Sequence, residues 1–265
     1  MEKQYIDVFQ DELLIDAPSQ LSIHIHKQAR GSLFIVVQED VQISIVMDEQ
    51  SSSHILFYNK NQDKLKLDIH SNLKKDAECK MGFLDMETDS VSMDLKTVLD
   101  EPGAHFELMT GQLGQENTIK HNNIEILHKA GYTQGLMQNF AVLFDKADYQ
   151  MVANGNIKKG CSQAQSHQVT RVLTLGKDHK AKVIPLLLID ENDVKASHAQ
   201  TIGQPDEDQL YYLKSRGLSH RQALGLLSIG YLLPVLDLMD NESKKEELRQ
   251  EMENKVGLYG NRENS

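Results

Sequence analysis

The sequence predicts a mainly β protein with a short α-helical segment at its C-terminal end. Between about residues 21 and 202, short segments alternate apolar with polar side chains, and polar turn segments separate them. After residue 204 the apolar residues change to the three- and four-residue spacing of helices. Few long helical patterns interrupt the strand region, which argues against a doubly wound α/β fold. With 265 residues, the chain is long enough for a sizeable core.

The strand segments share one pattern, with apolar side chains on one face and polar ones on the other. They lie at residues 21–25, 41–45, 65–69, 91–95 and 105–108. Many short strands fit a sandwich, a barrel or a β-solenoid. One Asn-Gly pair, Asn154 and Gly155, could form a turn, but hairpin signals are otherwise nearly absent. A solenoid needs no tight hairpins, so the pattern slightly favours it, although no exact repeat length emerges.

Two short helices joined by a tight turn are predicted after Pro205. The carboxylates that follow this proline suit the first turn of a helix, where they meet the positive end of the dipole. Gly217 lies where a left-handed cap would end the first helix. Ser219 then begins the second helix, with Gln222 at the capping-box position. Such a pair must bury its apolar faces against the rest of the chain or against a partner.

The second predicted helix has an apolar stripe at three- and four-residue spacing. Its members are Leu224, Leu227 and Tyr231, widened by Leu226 and Ile229. A third helix is predicted over residues 241–253, where opposite charges recur at the same spacing. Its high charge predicts a solvated helix with one weak apolar contact.

Composition limits the classes of function. Twenty-eight Lys and Arg face 39 Asp and Glu, for a formal net charge of −11. Without a basic block, binding to nucleic acid or to an anionic membrane is not expected. The two cysteines, Cys79 and Cys161, make no disulfide framework and fit a reducing compartment. No stretch approaches a membrane span, and residues 1–7 carry no apolar signal region, so we expect a soluble cytoplasmic protein.

The most informative motif lies within residues 193–227. It consists of Ser197, His198, Thr201, Gly203, Gln204 and the Tyr-Tyr-Leu-Lys-Ser-Arg-Gly run at residues 211–217. This ordered pattern resembles the C-terminal signature of the SufB/SufD family, the scaffold subunits of the SUF iron–sulfur cluster assembly machine. The resemblance continues more weakly upstream to about residue 119, and it is closest to SufD.

The resemblance implies a right-handed parallel β-helix over residues 19–203, after an N-terminal segment at 1–18 and before a helical segment at 204–265. It also implies a non-catalytic scaffold. Such a subunit pairs with SufB through the edge of the β-helix and binds the ATPase SufC through its C-terminal helices. In isolation, the same edge would serve for a homodimer.

His198 is the candidate site residue, as the resemblance implies. In the family, a histidine here in SufD and a nearby cysteine in SufB lie near the interface of the two scaffold subunits, and both are implicated in assembling the nascent cluster. One histidine cannot hold a cluster, so we expect no tightly bound cofactor but a transient cluster shared with a partner. Ala196 stands where the family often has cysteine, which favours the SufD-like role. The alternative is that His198 only hydrogen-bonds within the last coil.

The contact with SufC is assigned through the same resemblance. Tyr211, Tyr212, Arg216 and Leu218 lie on the helix and turn that best match the family. Their alternative role is to pack against the last coil. The sequence has no phosphate-binding loop and no hydrolase motif, so ATP hydrolysis would belong to a separate subunit and we do not expect an enzyme.

Two other classes of function remain open. One is a β-helix enzyme on carbohydrate or acyl substrates, for which a carboxylate cluster at Asp85, Glu87, Asp89 and Asp94 is a candidate. An ordinary solvated surface explains those carboxylates as well. The other is a stand-alone β-helix homodimer that has lost cluster assembly.

The remaining histidines and cysteines carry weaker signals. His24 and His26 share one face of a strand and could bind a metal, although polar alternation on an exposed face explains them too. Cys161 is expected to be a small buried side chain rather than a ligand. Cys79 is expected in the core or as a partly exposed thiol.

Overall fold

Parallel strand pairing organises the computed structural model, which describes residues 3–17, 19–115 and 117–257. Fourteen strands precede three helices in the described residues. The strands are β1 (Lys3–Asp16), β2 (Gln20–Val37), β3 (Val41–Met47), β4 (Ser52–Asn59), β5 (Leu65–Leu73), β6 (Glu78–Asp85), β7 (Val91–Leu99), β8 (His105–Gly114), β9 (Ile119–His128), β10 (Gln134–Leu143), β11 (Asp148–Ile157), β12 (Gln165–Thr174), β13 (Lys180–Ile189) and β14 (Lys195–Gly203). The helices are α1 (Glu207–Ser215), α2 (His220–Leu236) and α3 (Glu242–Lys255).

The strands wind into a β-helix with two sheets. Odd-numbered strands from β3 to β13 form one sheet, and even-numbered strands from β4 to β14 form the other. The long β2 belongs to both, because its first half pairs with β3 and its second half with β4. β1 pairs with both halves of β2, so it joins the stack although it lies before residue 19, where the sequence prediction begins the β-helix. The predicted mainly β fold, a parallel β-helix followed by helices, is confirmed.

Coil length varies along the stack, which explains why no repeat length emerges from the sequence. Gln20 pairs with Gln42, a step of 22 residues. Further along, Asp148 pairs with Lys180, a step of 32 residues. A fixed period therefore does not exist in this chain, although every coil repeats the same two-sheet path.

Alternation along each strand fills the interior. In β5, for example, Leu65, Leu67 and Ile69 are buried while Lys66 is exposed. Gly155 lies inside β11, so the Asn154-Gly155 pair forms part of a strand and not a turn. A Cβ on Gly155 would overlap the hydroxyl oxygen of Ser166, and glycine is therefore required by close packing rather than by a turn.

Helices α2 and α3 pack on the outer face of the sheet that contains the even-numbered strands. The buried cluster there joins sheet and helix residues: Phe34, Leu56, Tyr58, Leu84, Leu113, Phe140, Val142, Leu173, Ile229, Leu232, Val235, Leu248 and Met252. The buried face of α2 is rotated from the predicted stripe, because Leu226 is exposed while Leu232 and Leu236 are fully buried. α3 buries both Leu248 and Met252, so it packs more firmly than predicted.

Two glycines let α2 approach the sheet closely. A Cβ on Gly111 of β8 would lie 2.9 Å from Cγ2 of Val235. A Cβ on Gly82 of β6 would lie 2.7 Å from Cδ1 of Leu238, just after α2, and 3.4 Å from Cγ1 of Val235 in α2. Side chains at either position would therefore push the helix away from the sheet.

The predicted helix boundaries are confirmed by their caps. Asp206 accepts a hydrogen bond from the backbone N–H of Gln209 at the start of α1. Gly217 follows α1 with a φ of +94°, in the left-handed region that favours glycine. Ser219 and Gln222 form a complete capping box at the start of α2. No described helix is both long and apolar enough to cross a membrane.

A buried ion pair lies inside the coils. Nζ of Lys120 is 2.8 Å from the carboxylate of Asp85, and both side chains are fully buried. The same ammonium donates to the carbonyl oxygens of Glu87 and Asp89. Asn59 donates to the other oxygen of the Asp85 carboxylate at 2.9 Å. The interpretation of Asp85 as part of a solvated surface is therefore wrong.

Candidate functional site

The last coil of the β-helix leaves two strand edges uncovered. Within the described residues, β13 pairs only with β11 and β14 only with β12. Each of these terminal strands thus presents one edge without a neighbouring strand. Such an edge carries backbone N–H and C=O groups that a strand from another chain can pair with.

The inward-facing row of this coil includes apolar residues, and no described coil covers it. Ile202 pairs with the buried Val172 one coil below, yet 46% of Ile202 is exposed. Ile189 of β13 is exposed in the same way above the buried Ile157. On the outer face of β13, Leu186 and Leu188 are exposed as well. The end of the stack therefore exposes several large apolar side chains to solvent.

His198 lies within this open end. Alternation in β14 turns Ser197 outwards, where its hydroxyl is 2.7 Å from Nδ1 of His167. His198 consequently faces the side of the buried Gln168, its partner in the register, and its ring is exposed to solvent. In the described part of the chain, no hydrogen bond or ion pair involves this ring. Its imidazole nitrogens are therefore accessible to a ligand from outside the chain.

A column of polar side chains in the interior of the β-helix extends to the open last coil. Asn139 accepts a hydrogen bond from the Thr110 hydroxyl at 2.9 Å, and its amide group is 3.4 Å from the Thr170 hydroxyl. Gln200 continues this column as the register partner of Thr170. The neighbouring Gln168 donates to the carbonyl oxygen of Leu186 at 2.8 Å, which ties the two sheets together beneath the last coil.

The two cysteines of the chain cannot act as exposed thiolates. Both are fully buried, which confirms the expectation that they are core thiols. Burial raises the pKa of the Cys79 thiol far above its ordinary value. Burial also raises the pKa of Cys161, whose Sγ donates a hydrogen bond to the carbonyl oxygen of His128. A thiolate ligand at the open end would therefore have to come from another chain.

His128 is the buried histidine of this part of the stack. Its Nδ1 lies 2.8 Å from the Thr133 hydroxyl, and burial lowers its pKa to about 4. The ring is therefore neutral at pH 7. Its role is to fill the interior, unlike the exposed ring of His198.

The first helix after the β-helix presents the residues predicted for SufC. Tyr211 and Tyr212 are 76% and 54% exposed, so they do not pack against the last coil. The guanidinium of Arg216 lies over the Tyr212 ring, 5.1 Å from its centroid. Leu218 is half-buried at the turn. α1 buries none of its side chains, and a shallow groove between α1 and α2 is lined by Asp208, Gln209, Tyr212, Leu213 and Leu227.

Sequence reasoning missed the exposed apolar residues of β13. The signal was present, because residues 183–189 form a nearly continuous apolar run instead of an alternating one. A continuous apolar run is typical of a strand whose two faces are both buried. Among the described residues, no element packs on the outer face of β13, so this apolar run lies at the surface.

Comparison with known proteins identifies the family of this chain. The family model for the SufBD core domain, described as "SUF system FeS cluster assembly", matches residues 5–231. The chain belongs to this family. The match covers nearly the whole β-helix together with α1 and most of α2, so the SufB/SufD resemblance of the C-terminal motif is confirmed.

The relatives with curated names are also SufD or SufBD family proteins. The iron-sulfur cluster assembly protein SufD of Bacillus subtilis (strain 168) is 31% identical over 68% of this chain and 40% of its own length. SufD of Escherichia coli (strain K12) is 25% identical over 50% of this chain and 31% of its own length. A SufBD family protein of Mycobacterium leprae (strain TN) is 30% identical over 73% of this chain and 51% of its own length. The matched region of this chain thus spans about half or less of the length of these relatives.

Proposed function

We propose that this chain is a SufD-like scaffold subunit of an iron–sulfur cluster assembly complex, paired with a SufB-like subunit through the open end of its β-helix. The uncovered last coil supports this proposal most directly. Exposed apolar side chains such as Ile202 are stabilised when a partner removes them from water, by about 25 cal/mol for each Å² buried. The two bare strand edges supply backbone groups for pairing in the same contact. Ala196, in place of cysteine, favours the SufD-like subunit over the SufB-like one.

The cluster is cargo in this proposal, not a resident cofactor. His198 offers an imidazole at the surface that the partner covers, and imidazole is a competent iron ligand. The thiolates that a nascent cluster needs come from the SufB-like subunit, because both cysteines of this chain are buried thiols. The cluster is held only while the two subunits share it.

The SufC-like ATPase binds at α1 in this proposal. Exposed tyrosines beside an arginine are the residue types that contribute most at protein interfaces. Tyr211, Tyr212 and Arg216 have this composition, and Leu218 lies at the turn that follows. The present chain is then non-catalytic, ATP hydrolysis belongs to the partner, and the complex works in the cytoplasm.

A carbohydrate enzyme finds less support in the structure. Asp85, the first residue of the proposed carboxylate cluster, is buried in an ion pair with Lys120. Glu87 is ion-paired with Lys255 of α3 at 2.7 Å. These carboxylates stabilise the fold and do not converge on an open groove.

Co-expression with SufB-like and SufC-like proteins of the same host tests the proposal. We expect all three chains to co-purify, and we expect Tyr211→Ala with Tyr212→Ala to release the ATPase while the SufB-like subunit stays bound. Tyr132→Ala is the matched control. Tyr132 is 66% exposed on a β-helix turn and is separated in sequence from α1 by more than two coils. Point variants are preferable to deletion of residues 205–265, which would uncover the apolar sheet face beneath α2. A folded chain that forms only homodimers would contradict the proposal and favour the stand-alone alternative.

A further inference from the structure

Three metal-ligating side chains converge on the outer face of the first coils. Asp7 of β1 is the register partner of His24 in β2, and His26 follows two residues later on the same face. One donor atom from each of the three lies within 4.8 Å of the other two. Oδ1 of Asp7 is 2.9 Å from Nε2 of His26 and 3.8 Å from Nδ1 of His24. The strand register thus brings two imidazoles and a carboxylate to one point.

The orientation of the His24 ring is fixed by Asp48. Its Nε2 donates a hydrogen bond to Oδ2 of Asp48, which follows β3, at 2.8 Å. The other carboxylate oxygen of Asp48 is held by Nζ of Lys74 at 2.6 Å. Because Nε2 carries the hydrogen-bonded proton, the lone pair of His24 lies on Nδ1, which faces Asp7. A carboxylate behind a histidine in this manner is the usual support of a metal-binding imidazole.

We propose that Asp7, His24 and His26 bind a divalent first-row transition metal ion of the Zn²⁺ type. Two imidazole nitrogens and one carboxylate oxygen are a ligand set that suits such ions. The His24 and His26 ring centroids are 4.1 Å apart and one nitrogen of each lies within 4.8 Å of the other, which is close enough for one ion to contact both. The Asp7 side chain is exposed, and water completes the coordination shell from the solvent side. Polar alternation alone does not explain why Nδ1 of His24 faces Asp7 or why Asp48 supports the ring.

This site is independent of the assembly role proposed above. It lies on β1 and β2, at the opposite end of the stack from His198. A bound ion joins the first coil to the second through ligands on both strands. Metal binding is therefore expected to raise the melting temperature of the chain, because the ion binds the folded state and not the separated strands.

Metal titration of the full chain, purified without a histidine tag, tests the site. We expect one Zn²⁺ per chain by isothermal titration calorimetry, and visible absorption bands of a bound ion when Co²⁺ is the probe. His24→Ala with His26→Ala should abolish this binding, and Asp48→Asn should weaken it about 10- to 100-fold. His70→Ala is the matched control, because His70 pairs with Asp68 at 3.1 Å on the same type of face and should leave binding unchanged.

Circular dichroism of each variant separates lost binding from lost folding. The inference is overturned by a folded wild-type chain that binds no stoichiometric Zn²⁺ or Co²⁺. Unchanged affinity in the folded double-histidine variant would overturn it equally, since the ion would then lie elsewhere.

Discussion

At the scale of the residue, His198 and His128 show how the same side chain takes two roles along one stack. His198 is exposed in β14, whereas His128 is fully buried in β9 of the other sheet, five strands earlier in the chain. The motif around His198 was visible in the sequence, but the difference in exposure was not. Exposure depends on which coil is last, and that is a property of the whole stack.

Substitution of His198 tests its assigned role in cluster assembly. We expect His198→Ala to lower cluster assembly in the reconstituted complex severalfold while leaving the melting temperature unchanged, because the ring is exposed and no described residue forms a hydrogen bond or ion pair with it. His121→Ala is the control, since His121 is exposed on the middle of the β-helix. Cluster yields equal to the wild type, measured by absorption and iron content, would assign His198 no role.

His128 makes stability depend on pH. Its pKa is about 4 in the folded chain, against about 6.5 in an unfolded one. Above pH 6.5 the ring is neutral in both states and contributes no pH dependence. As pH falls from 6.5 to 4, only the unfolded chain takes up the proton, so the folded state loses about 3 kcal/mol of stability.

A substitution at this position isolates the effect from other titrating groups. We expect His128→Asn to reduce the loss of unfolding free energy between pH 7 and pH 4, measured by urea denaturation, by about 3 kcal/mol. His121→Asn, at an exposed position of the same strand, should keep the wild-type pH dependence. If the unfolding free energies of both variants depend on pH as in the wild type, burial of His128 is not the cause of the pH dependence.

The buried pair of Lys120 and Asp85 gives a second test at this scale. Lys120→Met leaves the Asp85 charge buried without its partner, which should cost about 3–5 kcal/mol of unfolding free energy. Adding Asp85→Asn should recover much of that loss, as measured by denaturant unfolding. Lys96→Met, which breaks the partly exposed pair with Glu125, should cost about 1 kcal/mol or less. A double variant as unstable as Lys120→Met would contradict this interpretation.

The alternation of β9 shows why this pair could not be predicted. Its pattern places Lys120, Asn122 and His128 inwards and exposes Ile119. Hydrophobicity alone predicts that Ile119 is buried and that Lys120 is exposed, which is the reverse of what the structure shows. The inward lysine is stable only because Asp85 and two carbonyl oxygens surround it, and those groups come from an earlier coil.

At the scale of the element, the position of α2 depends on the absence of side chains beneath it. Gly111→Ala places a methyl group against Val235, and we expect a loss of about 1–3 kcal/mol, seen as a lower melting temperature. Gly230→Ala makes the same change within α2 itself, where nothing lies within 4 Å. That variant should gain about 0.5–1 kcal/mol, because alanine favours a helix over glycine. Equal effects of the two variants would exclude close packing as the reason for Gly111.

The helices show the limits of prediction for elements. The starts of α1 and α2 were predictable from the acidic residues after Pro205 and from the capping box at Ser219, because both are local arrangements of neighbouring residues. The packed face of α2 and the burial of Met252 in α3 were not predicted. Both depend on the apolar outer face of a sheet whose strands come from distant parts of the chain. A clue lies in β4, which is buried on both faces over its last residues.

At the scale of the whole molecule, the two ends of the stack differ in what they offer. The first coils carry the histidine–carboxylate cluster, and the last coil carries exposed apolar residues with His198. The alternating pattern predicted strands, and the C-terminal motif predicted the parallel β-helix and the family. The lengthening of the coils and the open final coil followed only from the strand register, since neither is a local feature.

The central claim is that the open end of the β-helix is an assembly surface. Native mass spectrometry of the chain mixed with a SufB-like protein of the same host tests it most directly. We expect a 1:1 complex whose affinity falls at least about tenfold in Ile202→Lys, since burying an unpaired charge is costly. Ile119→Lys is the matched control, because Ile119 is 48% exposed in the middle of the stack, against 46% for Ile202. Equal loss in both variants, or no complex with the folded wild type, would contradict the claim.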